Sequence, residues 1–357
     1  MMNVLILTGR FGMGHVAAAE AVQQEIARRA PSARVDVVDI VEACRPELSG
    51  LVYGFFDFTV HYCSGVYNLL NRLAGRFDGA PLERQMRSRM ERLLDEHRPD
   101  LVVSTLPLSS QYVAAYKRAS GDPIPLYTYI TDIYAHNEWL APETDCYFVG
   151  DESTRRQLLA EGVPGRRIVV SGIPVRQGFY ACSTRPDGPR ELLVMGGGLG
   201  LLPHAEELFS ALAGDPSVHV TVLTGHNRSL AAKLRRHWPD LEVVGYTDRV
   251  ADYMARADLL LTKAGGSTTF EAIHAGVPLC LLRPFLMQEE DNAAYAERHG
   301  FGRVLRTKGR EVEDLLDLLH DGEALADMRQ RMAVALRTLD DETVLDRYQG
   351  EEEEAVC

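Results

Sequence analysis

A chain of 357 residues exceeds what one ordinary hydrophobic core organises, so two domains are the natural expectation. Its 46% apolar and 25% charged residues are globular values, and 38 basic against 51 acidic side chains leave a net charge of −13 that disfavours bulk nucleic-acid binding. Six cysteines (44, 63, 146, 182, 280 and 357) include no CxxC pair, so neither a zinc site nor a disulfide framework is indicated. Lysine occupies only positions 117, 233, 263 and 308, a preference for arginine that reads as coding bias. No basic leader precedes the apolar run in MMNVLILTGR, so no signal peptide is expected. Leu51–Val60, the most apolar early window, carries Asp57 and is too short to span a bilayer. The expectation is a cytoplasmic protein, peripheral to a membrane at most.

Val4–Leu7 reads as a buried strand, Gly9–His15 as a glycine loop and Val16–Arg29 as a helix. Val35–Ile40 is the next strand, which makes a βαβ unit and a parallel sheet. Gly12-x-Gly14-x-x-Ala17 formally satisfies the dinucleotide fingerprint, with Asp36 or Asp39 near the expected acidic position. Against a nicotinamide cofactor stands His15, a titratable base inside that loop. From Gly50 to Arg76 aromatics and leucines crowd together, Phe55 and Tyr67 among them. That stretch is either a core helix pair, or an apolar acceptor groove or lipid-touching surface. Arginines 72, 76, 84, 87, 89 and 92 suit either a solvated helix or an anionic membrane surface. Leu101–Ser104 and Leu126–Ile130 are strands, and Thr131–Trp139 leaves the second where an open parallel sheet faces its ligand. Asp132 and His136 are therefore candidates to orient a base or hold an acceptor. Cys146–Val149 and Arg167–Val170 complete the series.

Ala181–Arg190, polar and rich in proline and glycine, reads as a linker. Leu192–Met195 then opens a second strand–glycine loop–helix unit at Gly196–Gly200, with strands to follow at Val218–Leu223, Glu242–Val244, Asp258–Leu261 and Leu279–Leu282. Two glycine loops in two doubly wound domains fit a ligand clamped between domains better than one dinucleotide. The organising stretch is Thr262–Asn292. Ala264–Thr269 lets the backbone approach a ligand, with Ser267 or Thr268 as the cap of the following helix, whose first amides make an anion site needing no metal. Glu271 is expected in the first helical turn, accepting vicinal ribose hydroxyls, and Gln288–Asn292 in a polar loop that meets a sugar. Gly225-His226-Asn227 and Gly245-Tyr246-Thr247 end two strands where main-chain groups would read a uracil-like base. Diphosphate, ribose and sugar together describe a nucleotide-sugar. Helices from Glu311 to about Arg347 and a solvated acidic run, Glu351–Glu354, finish the chain. The expected domains are 1–180, a linker at 181–190, 191–335, and a helix and tail at 336–357 that packs back on the first domain.

With these residues assembled, the chain resembles the GT-B glycosyltransferases of family 28, in the branch of diacylglycerol glycosyltransferases and monogalactosyldiacylglycerol synthases. LILTGRFGMGHVAAA at 5–19 is similar to the branch's glycine loop with its histidine, and TDIYAHNEW at 131–139 to its TD-x-x-x-H-x-x-W element. SGIPVR at 171–176 resembles the segment closing the first domain, MGGG at 195–198 the loop opening the second, and ADLLLTKAGGSTTFEAIHAG at 257–276 the donor-site signature. The resemblance implies an α/β GT-B architecture, two Rossmann-like parallel-sheet domains facing each other across a cleft. It also implies inverting, metal-independent transfer of a hexose from a UDP-sugar. Position by position, Gly265, Gly266, Ser267 and Thr268 would hold the diphosphate, Glu271 the ribose, and Gln288, Glu289 and Asn292 the sugar. Gly197, Gly198, His226 and Tyr246 join the donor side. His15 would be the base, with Asp132 and His136 as alternatives or partners, and Gly12, Gly14, Phe55 and Tyr67 would meet the acceptor. Two departures bear on specificity: Leu286-Met287 stands where the family has Pro-Gly, and the glycine loop differs near Arg10-Phe11.

The branch implies a lipid acceptor such as diacylglycerol, allows peripheral contact with an anionic membrane, and needs no cofactor beyond the donor. A nucleoside or sugar intermediate of a natural product is the competing acceptor. A UDP-sugar 2-epimerase on the same scaffold would need more carboxylates than the first domain offers. A non-catalytic nucleotide-sugar or lipid-binding partner is opposed by intact His15, Glu271 and Gln288. A NAD-dependent oxidoreductase would bind NADH more tightly than UDP.

Overall fold

The computed structural model describes residues 2–47, 49–54, 83–179, 188–197, 205–213, 215–284 and 286–356, with the side chains of 83–85, 205, 206 and 352–356 outside the description. The chain divides into two compact units, Met1–Arg176 with Leu339–Cys357, and Gln177–Thr338.

The first unit runs β1 (Asn3–Thr8), α1 (Gly14–Arg29), β2 (Arg34–Asp39), α2 (Ile40–Cys44), α3 (Glu83–His97), β3 (Leu101–Ser104), α4 (Pro107–Ser120), β4 (Leu126–Tyr129), β5 (Cys146–Phe148), α5 (Glu152–Ala160) and β6 (Ile168–Val169). Its six strands are parallel, in the order β2-β1-β3-β4-β5-β6. Alternate residues of each strand face opposite layers. Leu5, Leu7, Val102 and Leu126 pack with Met90, Leu94 and Val113 of α3 and α4, while Val4, Ile6, Leu101 and Val103 pack with Ala19, Val22 and Ile26 of α1. Burial on both faces is why the strands read as unbroken apolar runs. The helices start and stop where local chemistry says they should. Pro107 opens α4 and Gly121, at φ 73°, closes it; the Asp151 carboxylate accepts the Ser153 and Thr154 amides at the start of α5.

The second unit contains β7 (Arg190–Met195), α6 (Ala205–Leu212), β8 (Val218–Leu223), α7 (Arg228–His237), β9 (Glu242–Val244), α8 (Val250–Arg256), β10 (Leu259–Thr262), α9 (Gly266–Ala275), β11 (Leu279–Leu281), α10 (Met287–His299), β12 (Gly302–Val304), α11 (Glu311–His320) and α12 (Gly322–Leu336). Its sheet is again parallel, ordered β12-β11-β10-β7-β8-β9. β12 is absent from the sequence reading. Three residues carry too little periodicity, and Gly302 is there for packing: a Cβ would collide with the Leu279 backbone on β11. Of the acidic run, Glu351 is tied to the protein. Glu351 belongs to a C-terminal helix, Val344–Val356, that packs Val344 and Leu345 onto the first sheet and accepts a 2.7 Å hydrogen bond from Tyr127 Oη. Arg190, read as linker, begins β7; residues 181–187 lie outside the described residues.

Both sheets reverse their winding once. In the first the reversal lies between β1 and β3, in the second between β7 and β10. Loops leaving the carboxyl ends of such neighbouring strands turn in opposite directions and open a crevice, the usual ligand position in an α/β sheet.

Candidate functional site

At the first reversal, Gly12 adopts φ 81° and turns the chain from β1 into α1. The helix begins at Gly14, so His15 sits in its first turn and not in the loop; the Ala17 amide already donates to the Met13 carbonyl at 2.9 Å. Ala17–Ala19, strong helix formers, favour a helix that reaches back to Gly14 despite the glycine. His15 Nδ1 lies 2.9 Å from the Thr105 carbonyl oxygen, beyond β3, and 2.9 Å from Thr131 Oγ1, beyond β4. A carbonyl only accepts, so Nδ1 carries the proton and Nε2 of the neutral ring keeps its lone pair. Thr105 is itself fixed, its Oγ1 3.0 Å from both Thr8 Oγ1 and the His15 carbonyl. Burial lowers the His15 pKa below its ordinary 6.5, with the Asp132 carboxylate and the Thr105 carbonyl pulling the other way.

Asp132 accepts from the indole Nε1 of Trp139 at 3.3 Å, and the Trp139 ring, 1% exposed, stands 6.0 Å from the His15 ring. Gln111 on α4 holds this segment by donating to the Glu138 and Leu140 carbonyls. The structure thus brings His15, Thr131, Asp132 and Trp139 together. The His136 ring stands 5.2 Å from that of Tyr134, and among the described residues no hydrogen bond joins it to His15. The dinucleotide reading loses its acids here. Asp39 caps α2 through the Val41 and Glu42 amides and accepts from Tyr53 Oη, and Asp36 pairs with His97 at 2.7 Å. Arg10 and Phe11 are held by the same tyrosine, the Arg10 amide donating to its oxygen at 3.1 Å. Phe55 and Tyr67 lie outside the described residues.

At the second reversal the sequence reading needs three corrections. Neither Ser267 nor Thr268 caps α9; Gly265, in extended conformation, is the boundary residue, and Thr269 turns back to donate to its carbonyl at 2.8 Å. Because the helix opens at Gly266, Glu271 falls in the second turn, 6% exposed. Gln288–Asn292 form no loop: they are the first turns of α10, which buries Ala293, Tyr295 and Ala296 below its polar start. A polar run misled because its apolar partners follow in the next turn. Asn292 donates to the Ala264 carbonyl at 3.0 Å, tying α10 to the turn before α9. Gly265 and Gly266 thus stand at a helix start: the Gly265 amide donates to the Lys263 carbonyl at 2.9 Å, and the amides of the first helical turn have no acceptor one turn back within the helix.

One residue escaped the sequence reading. Lys263 Nζ lies 3.1 Å from Glu289 Oε1, and Gly197, at φ 70°, is so close that a Cβ there would stand 3.2 Å from Lys263 Cε. A scarce lysine, separated from two glycines by Ala264 alone, was the available signal. His226 and Tyr246, in the loops after β8 and β9, stack 4.2 Å apart at 15°, with Tyr246 58% exposed. Gly198 lies outside the described residues. Among the described residues no group of three or more His, Cys, Asp or Glu side chains is arranged for a metal ion, and no helix is long and apolar enough to cross a membrane.

The chain's halves match two family models in order: monogalactosyldiacylglycerol (MGDG) synthase over residues 15–175 and the glycosyltransferase family 28 C-terminal domain over residues 192–343. A processive diacylglycerol beta-glucosyltransferase of Bacillus subtilis (strain 168) is 28% identical over 349 residues, 92% of this chain and 90% of that protein. Its namesake from Bacillus thuringiensis (strain Al Hakam) is 29% identical over 348 residues, 92% and 89% of the two chains. Among solved structures, the kitacinnamycin glycosyltransferase has a TM-score of 0.64 at 17% identity, over 97% of this chain and 98% of its own. Acinetobacter baumannii MurG has a TM-score of 0.63 at 17% identity, covering 99% and 100%. Staphylococcus aureus MnaA, solved with UDP, has a TM-score of 0.62 at 13% identity, covering 100% and 97%. At such identities these structures speak for the fold alone. With both halves matched in sequence, and with two parallel sheets of the GT-B type, the chain belongs to glycosyltransferase family 28, its first domain of the monogalactosyldiacylglycerol-synthase kind.

Proposed function

We propose that this protein is an inverting glycosyltransferase that moves a hexose from a UDP-sugar to the hydroxyl of a diacylglycerol-type lipid. The observation that carries the reading is His15, whose Nδ1 is committed to the Thr105 carbonyl so that Nε2 is the basic nitrogen, in the half matched by the MGDG synthase model. An acceptor hydroxyl is a weak nucleophile near neutral pH. His15 Nε2 takes its proton as the oxygen attacks the anomeric carbon, and the bond to the UDP oxygen breaks on the opposite face. The imidazolium so formed is stabilised by the Asp132 carboxylate and the Thr105 carbonyl, the two groups that raise the ring's proton affinity. General-base assistance of this kind contributes about 10²–10⁴ in rate.

Negative charge grows on the departing diphosphate, and the amides of the first turn of α9 (Gly266–Thr268) receive it. Losing one such donor costs about 10²–10³ in turnover. Glu271, Gln288, Glu289 and Asn292 take the ribose and hexose hydroxyls, and the His226–Tyr246 stack lies beside the base. A lipid acceptor places the enzyme at the surface of a membrane on the side where UDP-sugars are made, the cytoplasmic one. The relatives' names make glucose and diacylglycerol the first sugar and acceptor to assay, with UDP as the carrier proposed above. Purified protein with UDP-glucose and diacylglycerol vesicles should give a hexosyl lipid by mass and release UDP only when acceptor is present. Interconversion of the UDP-sugar without acceptor would assign the fold's epimerase chemistry instead.

A further inference from the structure

The scheme above leaves Lys263 without a role, yet the residue stands at the reversal of the second sheet. It is the first residue after β10, and its stem crosses Gly197 beyond β7. Its ammonium meets Glu289, the third residue of α10, at 3.1 Å. The pair is lopsided: the Glu289 side chain is 3% exposed and that of Lys263 29%. An ammonium has three donors. One serves Glu289, and the other two meet no protein acceptor among the described residues. In a chain that mostly uses arginine, a compact and rotatable point charge stands here, two residues before Gly265. Arginine's planar fork would not fit as readily beside a glycine already within van der Waals reach of the lysine stem.

We infer that Lys263 is a positioning residue for the donor, its ammonium bridging the Glu289 carboxylate and the diphosphate of the bound UDP-sugar. The inference rests on the nucleotide-sugar reading of the α9 start. Lys263 then does two things. It gives the buried carboxylate the charged partner that burial demands, and it adds positive charge where the leaving group becomes more negative.

Calorimetric titration with UDP and with uridine separates these roles. Wild type and Glu289→Gln set the reference, and Lys263→Met is made in both backgrounds. In the Glu289→Gln background no buried carboxylate loses its charged partner, so that double variant folds even where the single one does not. The expected result is a tenfold to hundredfold loss of UDP affinity, on the order of one charge-assisted hydrogen bond, in both backgrounds. Uridine affinity should stay within about twofold of its reference, and Lys263→Arg should recover part of the loss for UDP. Equal losses for UDP and uridine, or no loss of UDP affinity in the Glu289→Gln background, would reduce Lys263 to a structural ion pair and overturn the inference alone. Failure of the wild type to bind UDP would remove the nucleotide-sugar reading and the inference with it.

Discussion

At the scale of single residues, the first site is a histidine with an assigned proton. Because activity requires the neutral ring, kcat/KM should fall as pH drops through the His15 pKa, at a pH below 6.5 since burial lowers it. His15→Ala should lose about 10²–10⁴ in kcat while UDP affinity, measured by calorimetry, stays within a few-fold. Asp132→Asn removes an influence that raises the His15 pKa, so the acid limb of the pH–rate profile should move to still lower pH while kcat falls. A shift toward higher pH would show that Asp132 acts otherwise. His15 was visible in the sequence as a titratable group after glycines. Its tautomer was not, because it depends on Thr105, 90 residues away.

At the scale of elements, the glycine loop after β7 and the helices around it set the geometry. Gly197 combines a left-handed backbone with a near contact to Lys263. Gly197→Ala should therefore cost about 1–2 kcal/mol in stability and raise the donor KM, with kcat less affected. Equilibrium unfolding beside steady-state kinetics would check both halves of that statement. Helix α9 carries a second titrating group: burial pushes His274, in its last turn, down to about 4. The unfolded chain binds that proton near 6.5 and the folded chain only near 4. Stability is thus complete above 6.5 and is lost as pH falls toward 4. His274→Leu should flatten that loss by up to about 3 kcal/mol, read from urea midpoints at pH 7 and pH 4.5. The elements themselves were mostly legible, since strands buried on both faces and helices bounded by Gly121, Gly276 and Gly300 announce themselves locally. Helix α10 and β12 were not: one opens on polar residues, the other is three residues long.

At the scale of the whole molecule, the last helix belongs to the first unit although it follows the second in sequence. Deleting residues 344–357 uncovers the seats of Val344 and Leu345 and removes the Tyr127–Glu351 bond. The first unit should lose about 3–6 kcal/mol, lowering its calorimetric transition by roughly 10 °C or more. UDP at about a hundred times its Kd should raise the other transition, by about 2.7 kcal/mol of stabilisation, in the full and shortened chains alike. The amino-acid sequence by itself determined the two parallel-sheet layers, the glycine turns and the family, because each rests on patterns closed within a few residues or one motif. Tertiary structure alone decided which loops meet. The pairing of His15 with Thr105 and of Gly197 with Lys263 follows from the strand order β1–β3 and β7–β10. Strand order is set by how helices cover both faces of a sheet, a choice made across tens of residues that no local periodicity records.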